Sequence, residues 1–136
     1  MKKHVATITG TIAGITIVYL VQQFFFNSTS TFDKILMEIA SDLNRTCPVM
    51  IDSETRLDNA IALPNKIFQY NYTLVNWDKE HLDTVELKEY LVPYITNFTK
   101  SSPDMKSFRD NNVTTKYCYR DKLGTYVFTI TVTSEQ

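Results

Sequence analysis

The stretch IFQYNYTLV, residues 67–75, alternates without a break. Phe68, Tyr70, Tyr72 and Leu74 fall on one side while Gln69, Asn71 and Thr73 fall on the other, the period-2 signature of a strand with one buried face. Upstream, RLDNAIAL (residues 56–63) also alternates, with Leu57, Ile61 and Leu63 expected on one side. Leu63-Pro64-Asn65-Lys66 reads as the turn between the two runs, which predicts an antiparallel pair. Toward the C-terminus, Val113 to Arg120 and Thr125 to Thr133 predict a second pair, joined by Asp121-Lys122-Leu123-Gly124 with a glycine at its end. In the last strand Tyr126, Phe128, Ile130 and Val132 are expected on the buried face, opposite a row of threonines.

Helical periodicity fills the intervals. Phe32, Ile35, Leu36, Ile39 and Leu43 recur at helical spacing after a Ser30/Asp33 capping signal, and Cys47-Pro48 closes that segment. Asp83 with Glu86 marks a second helix start, followed by Leu87, Leu91, Tyr94, Ile95 and Phe98, with Pro93 expected to kink it. Ser102-Pro103 opens a shorter helical stretch anchored by Met105 and Phe108. The expected class is therefore α+β in α-β-β-α-β-β order, with helices packed on one face of a four-stranded antiparallel sheet.

Preceding all of this, VATITGTIAGITIVYLVQQFFF (residues 5–26) carries no charge. As a helix it would be about 33 Å long, comparable to a hydrocarbon core of about 30 Å. With Lys2 and Lys3 before it and no further basic residue until Lys34, the positive-inside bias predicts a cytoplasmic start at residues 1–4 and a transmembrane signal-anchor over 5–26. A linker at 27–31 and an extracytoplasmic domain over 32–136 follow. The localisation expected is thus single-pass in the cell membrane, with a periplasmic or extracellular domain. A cleaved secretory signal, releasing a secreted soluble domain, is the competing reading, although no A-x-A site follows closely. Thr7, Gly10, Gly14 and Ile17 fall on roughly one helical face, a small-residue pattern that offers a route to a homodimer.

The segment from residue 27 onward holds all 15 acidic residues and 12 of the 14 Lys and Arg, a net charge of about −3. So even a mixture, without a basic face, argues against a nucleic-acid partner. Cys47 and Cys118 are the only cysteines, and export would place them where disulfides persist. A bridge between them would staple the first helix region to the last hairpin, and two buried thiols or an intermolecular bridge are the alternatives. No cofactor is expected. Zinc needs about four ligands, which two distant Cys and His81 do not supply, and Asp52, Glu54 and Asp58 lack calcium-loop spacing. His81 has no Ser or Cys motif beside it to suggest an activated nucleophile. The aromatic row of Phe68, Tyr70, Tyr72, Tyr117, Tyr119, Tyr126 and Phe128 reads as core beneath helices rather than a stacking platform. Sequons at Asn27, Asn44, Asn71, Asn97 and Asn112 matter only in a glycosylating host.

The stretch NRTCPVMIDSETRLDNAIALPNKIFQYNYTL (residues 44–74) resembles small, mostly uncharacterised bacterial envelope or membrane-anchored proteins. In these, Cys-Pro, Thr-Arg-Leu-Asp and Tyr-x-Tyr-Thr-Leu motifs follow a hydrophobic N-terminus, and the likeness continues through FRDNNVTTKYCYRDKLGTYVFTITVT (residues 108–133). It implies a bacterial envelope setting and no particular activity. The function expected is a membrane-tethered, non-enzymatic module that contacts an envelope protein. The alternative is a small-ligand-binding or hydrolytic domain using Arg56, Asp58, Lys116 and Arg120 on the polar sheet face.

Overall fold

Apolar residues three and four apart make one flank of the first helix unable to face water, and in the computed structural model, which describes residues 29–133, that flank is the keel of the core. Helix α1 (Thr29–Asn44) buries Ile35, Leu36, Ile39, Ala40 and Leu43, and Leu36 and Ile39 are wholly inaccessible. Each such aliphatic side chain stabilises by about 1.5–3 kcal/mol relative to exposure. Asp33, on the flank of α1, accepts from the backbone N–H groups of Asn65 and Lys66 at 3.4 and 2.9 Å. Both of those residues have positive φ, 68° and 58°, so the helix secures a turn whose backbone needs outside support.

The strands follow as β1 (Val49–Met50), β2 (Thr55–Leu63) and β3 (Ile67–Leu74). Next come a 3-10 turn at Lys79–His81, helix α2 (Thr84–Ser101), a second 3-10 turn at Pro103–Met105 and helix α3 (Lys106–Asp110). Strands β4 (Thr114–Asp121) and β5 (Tyr126–Val132) complete the chain described. The Asp83 carboxylate caps α2 by accepting from the Glu86 N–H at 2.9 Å, and the helix runs through Pro93 to Ser101.

The sheet departs from the expectation of four antiparallel strands. It has five, in the order β1-β2-β3-β4-β5, and its central pair β3–β4 is parallel. The physical reason lies in the connection: a parallel pair needs a crossover of a dozen or more residues, and residues 75–113, with their helices, supply one. Each hairpin remains antiparallel within itself. Two further differences come from β-bulges, where one extra residue reverses the alternation. A register shift between Leu57 and Asn59 turns Ala60 inward and leaves Ile61 45 % exposed. Another shift at Arg120 sends Tyr126 to the open face, 47 % exposed, and buries Val127 instead.

Helices cover one face only. Beneath them Tyr70 stacks on Tyr117 and Tyr72 on Tyr119, with ring centroids 5.3 and 5.0 Å apart, filling the space above the parallel pair. The aromatic row is therefore core, except for Tyr126 on the open face. Tyr117 alternates with Cys118 along β4, so the Cys118 side chain points to the opposite face, whereas Cys47 packs against the helix-side core. The expected Cys47–Cys118 disulfide is accordingly not formed, and both thiols are free.

Residues 5–26, and with them the dimer face of Thr7, Gly10, Gly14 and Ile17, lie outside the described residues. Among the described residues no helix is long and apolar enough to cross a membrane. The expected transmembrane helix is thus no part of the fold described here.

Candidate functional site

One groove is assembled at the end of the sheet where β3 leaves for α2. It begins with Asp52, whose carboxylate accepts from the N–H groups of Glu54 and Thr55 at 2.8 and 2.7 Å, folding the β1–β2 connection into a tight turn. The turn throws the Glu54 side chain across to the neighbouring loop, where its Oε2 accepts from Asn76 Nδ2 at 3.0 Å and Trp77 Nε1 at 2.9 Å. From the other side, the buried Asp121 carboxylate accepts from the Lys79 N–H at 2.9 Å, and the Lys122 N–H donates to the Trp77 carbonyl at 2.9 Å. The loop carrying Trp77 is therefore held at both ends. Burial disfavours a charged Asp121, but the amides of Lys79, Thr125 and Leu123 outweigh it and keep the carboxyl below its ordinary pKa.

The result is a groove of about 310 Å³, walled by Trp77, Leu82, Leu87 and Tyr90 and floored by Leu74 and Tyr119. Trp77 is 43 % and Tyr90 70 % exposed, a large aromatic surface for a domain of this size. Among the described residues, the charged groups lining it are the carboxylates of Asp52 and Glu54, and no basic side chain joins them. The charge of Asp52 is felt by two neighbouring phenols. Desolvation first, then Tyr90 and Asp52, raises the pKa of Tyr94, and burial, Tyr117 and Asp52 raise that of Tyr119. An apolar floor with an acidic rim suits a partly apolar, positively charged occupant. Among the described residues, no group of three or more His, Cys, Asp or Glu is placed to hold a metal.

A second trough, of about 570 Å³, runs between α2 and β5. Val85, Lys88, Glu89 and Val92 form one wall and Val127 with Phe128 the other.

The residues expected at a polar-face site lie elsewhere. Arg56, Thr73 and Arg120 align in one row across β2, β3 and β4 on the face away from the helices. Asp58, in the bulge, accepts from both Arg56 Nε and Thr73 Oγ1, and Arg120 donates to the Gly124 carbonyl at 3.2 Å. The Arg56 charge is thus already matched. Lys116 sits four residues from Arg120 along β4, about 13 Å away, so the fold gathers three of the four and leaves Lys116 out. Neither groove is lined by any of them. What the sequence reading missed is the Trp77 groove. Its signals were the single Trp of the chain, set in the polar loop NWDKE, and Tyr90, an aromatic off the apolar stripe of α2.

Comparison with known proteins places this arrangement. The profile of the family described as a domain of unknown function, DUF8479, matches residues 30–128. The chain belongs to this family. The DUF8479 match runs from the first turn of α1 to Phe128 and takes in both grooves. Among curated proteins, none matches the sequence. Three solved structures share the fold. The first is a Pseudomonas aeruginosa protein described as a candidate secreted protein, with TM-score 0.61 and 11 % identity over 73 % of this chain and 86 % of the other. The pilotin EpsS of the Vibrio vulnificus type 2 secretion system gives 0.59 and 14 %, over 76 % and 88 %. The type II secretion system pilotin AspS of Vibrio cholerae gives 0.58 and 15 %, over 79 % and 93 %. At these identities the likeness is one of fold. Among the described residues no helix is long and apolar enough to cross a membrane, so the expected single-pass cell-membrane localisation is not supported.

Proposed function

We propose that this DUF8479 chain is an envelope-associated protein-interaction module that receives a component of a secretion or export assembly in the Trp77 groove. The observation that carries the reading is the groove itself: two exposed aromatics over an apolar floor, rimmed by Asp52 and Glu54, with the Trp77 loop fixed before any partner arrives. Fixing a loop in advance lowers the ordering cost of association, and Trp and Tyr are the residue types that most often dominate binding energy. Likeness of fold to two type 2 secretion pilotins supports the choice of setting. Against a ligand or hydrolytic site on the polar face stands the pairing of Arg56 with Asp58 and the distance of Lys116 from the other residues.

A photo-reactive residue at Tyr90 tests the proposal in living cells, with the same residue at Asn59, exposed on the far side of the sheet, as control. The expected result is a protein adduct from position 90 alone, whose purified component then binds the wild-type chain and binds Trp77→Ala about tenfold or more weaker. Equal adducts from both positions, or equal affinity of the two chains, would count against the groove.

A further inference from the structure

The two edges of the sheet are treated very differently by this sequence. On one side β1 contributes only two residues, and beyond it the side chain of Asn44 takes over. Its Nδ2 donates to the Ala60 carbonyl at 2.9 Å while its Oδ1 accepts from the Ala60 N–H at 2.7 Å, so one amide satisfies the β2 backbone as a further strand would. Pro64 follows at the end of that strand. These are the means by which natural sheets keep an edge from recruiting another strand. Among the described residues the opposite edge has no shortened strand, capping amide or Pro, and its one bulge lies near its start, at Val127. Strand β5 reads YVFTITV over seven residues, without charge, Pro or Gly, β-branched or aromatic at every position, and among the described residues it pairs with β4 alone.

Beside this bare edge lies the trough between β5 and α2. Val85 is 66 % and Val92 37 % exposed, one turn-pair apart on the same flank of α2, with Lys88 and Glu89 between them. We propose that the chain pairs with a second copy of itself through β5, antiparallel and centred on its middle residue, Thr129. A continuous sheet results, over which the two α2 flanks meet. A second copy is the occupant the residues specify. The edge calls for an uncharged, β-branched strand, which β5 is. A two-fold axis also sets Lys88 of each copy toward Glu89 of the other, and Val85 of each toward Val92 of the other, so the flank is complementary to itself in charge and in apolar surface. The pairing uses neither Trp77 nor Glu54 and is independent of the partner groove.

Light scattering and sedimentation velocity on the full chain test it, using Thr129→Lys, Thr129→Glu and their mixture. Thr129 lies on the open sheet face, so either charge stays solvated in a lone chain, and circular dichroism confirms the fold of each variant. Wild type is expected at the mass of two chains. Each variant alone, with like charges directly opposite across the joint, associates about 100-fold more weakly, and the equimolar mixture regains the mass of two. Val92→Asp, on α2, is expected to weaken association without touching the strand. A single-chain wild type overturns the proposal, whether or not its β5 edge then accepts a strand of another protein. A two-chain wild type that survives all three substitutions, or a mixture that stays apart, overturns it equally.

Discussion

At the scale of single residues, one amide does the pairing of a missing strand. Asn44 ends α1 and meets both backbone groups of Ala60, so removing its side chain leaves a donor and an acceptor of β2 without partners. Asn44→Ala should therefore lower stability by about 1–3 kcal/mol, read from the midpoint of urea unfolding. Asn44→Asp, which keeps the acceptor and loses the donor, should fall between that variant and wild type. Nothing in the sequence announced this role, because Asn at a helix end is ordinary and its partner lies sixteen residues away. Asp33 tells the same story. It was expected in a capping pattern with Ser30, but α1 is already helical at Thr29, and the actual partners of Asp33, the amides of the Asn65-Lys66 turn, depend on how α1 lies against the hairpin. Residue-scale chemistry that spans elements is set by packing, which local pattern does not encode.

At the scale of elements, alternation and helical spacing located the helices and four of the five strands, left the two-residue β1 out of the sheet, and failed at two places where a bulge inserts a residue. Ile61 and Tyr126 were each assigned inward and stand exposed, since a period-2 reading assumes an unbroken ladder. The direction of the central pair was equally out of reach. Both hairpins are readable locally, whereas their relative direction is decided by the crossover of residues 75–113. That junction has a measurable consequence, because Tyr70, Tyr72, Tyr117 and Tyr119 are stacked and buried above it. Burial raises all four phenols, Tyr117 to about 12. The folded state thus holds their protons more tightly than the unfolded chain, in which tyrosine ionises near about 10. The stability they contribute is complete below about pH 10 and is lost as pH rises through about 12. Denaturant midpoints should accordingly be level up to pH 10 and fall beyond it, with the tyrosinate absorbance of these four appearing together with unfolding. Their ionisation near pH 10 in a chain that keeps its native circular dichroism would contradict the packing described.

At the scale of the whole molecule, two cysteines in one small domain invited a staple, and the sheet itself stands between them. Cys118 projects from the face opposite the helices while Cys47 lies against the core, its thiol pKa raised chiefly by desolvation. Thermal midpoints with and without a reductant should therefore coincide, and Cys118→Ser should run with wild type on a non-reducing gel. In the native state, alkylation should reach the half-buried Cys47 before the buried Cys118. The Trp77 groove belongs to this scale too. Its residues come from the β1–β2 turn, the loop after β3, α2 and the floor of β4, and only their convergence makes a site. The sequence held its ingredients, an isolated Trp and an off-stripe Tyr, without showing that Glu54 would bind the first and face the second.

The parallel junction also governs the order in which the molecule can be completed. As the chain emerges from the ribosome, α1 and the first hairpin are finished by Leu74, yet β3 acquires its second neighbour only with Thr114–Asp121, after the whole crossover has been made. Until then the middle of the future sheet is an open edge bearing a row of aromatic side chains, the kind of surface on which nascent chains aggregate or chaperones settle. Strand β4 closes that gap, so a chain stopped within the crossover would expose the centre of the protein, whereas loss of a few residues from β5 would uncover only the outer edge of β4.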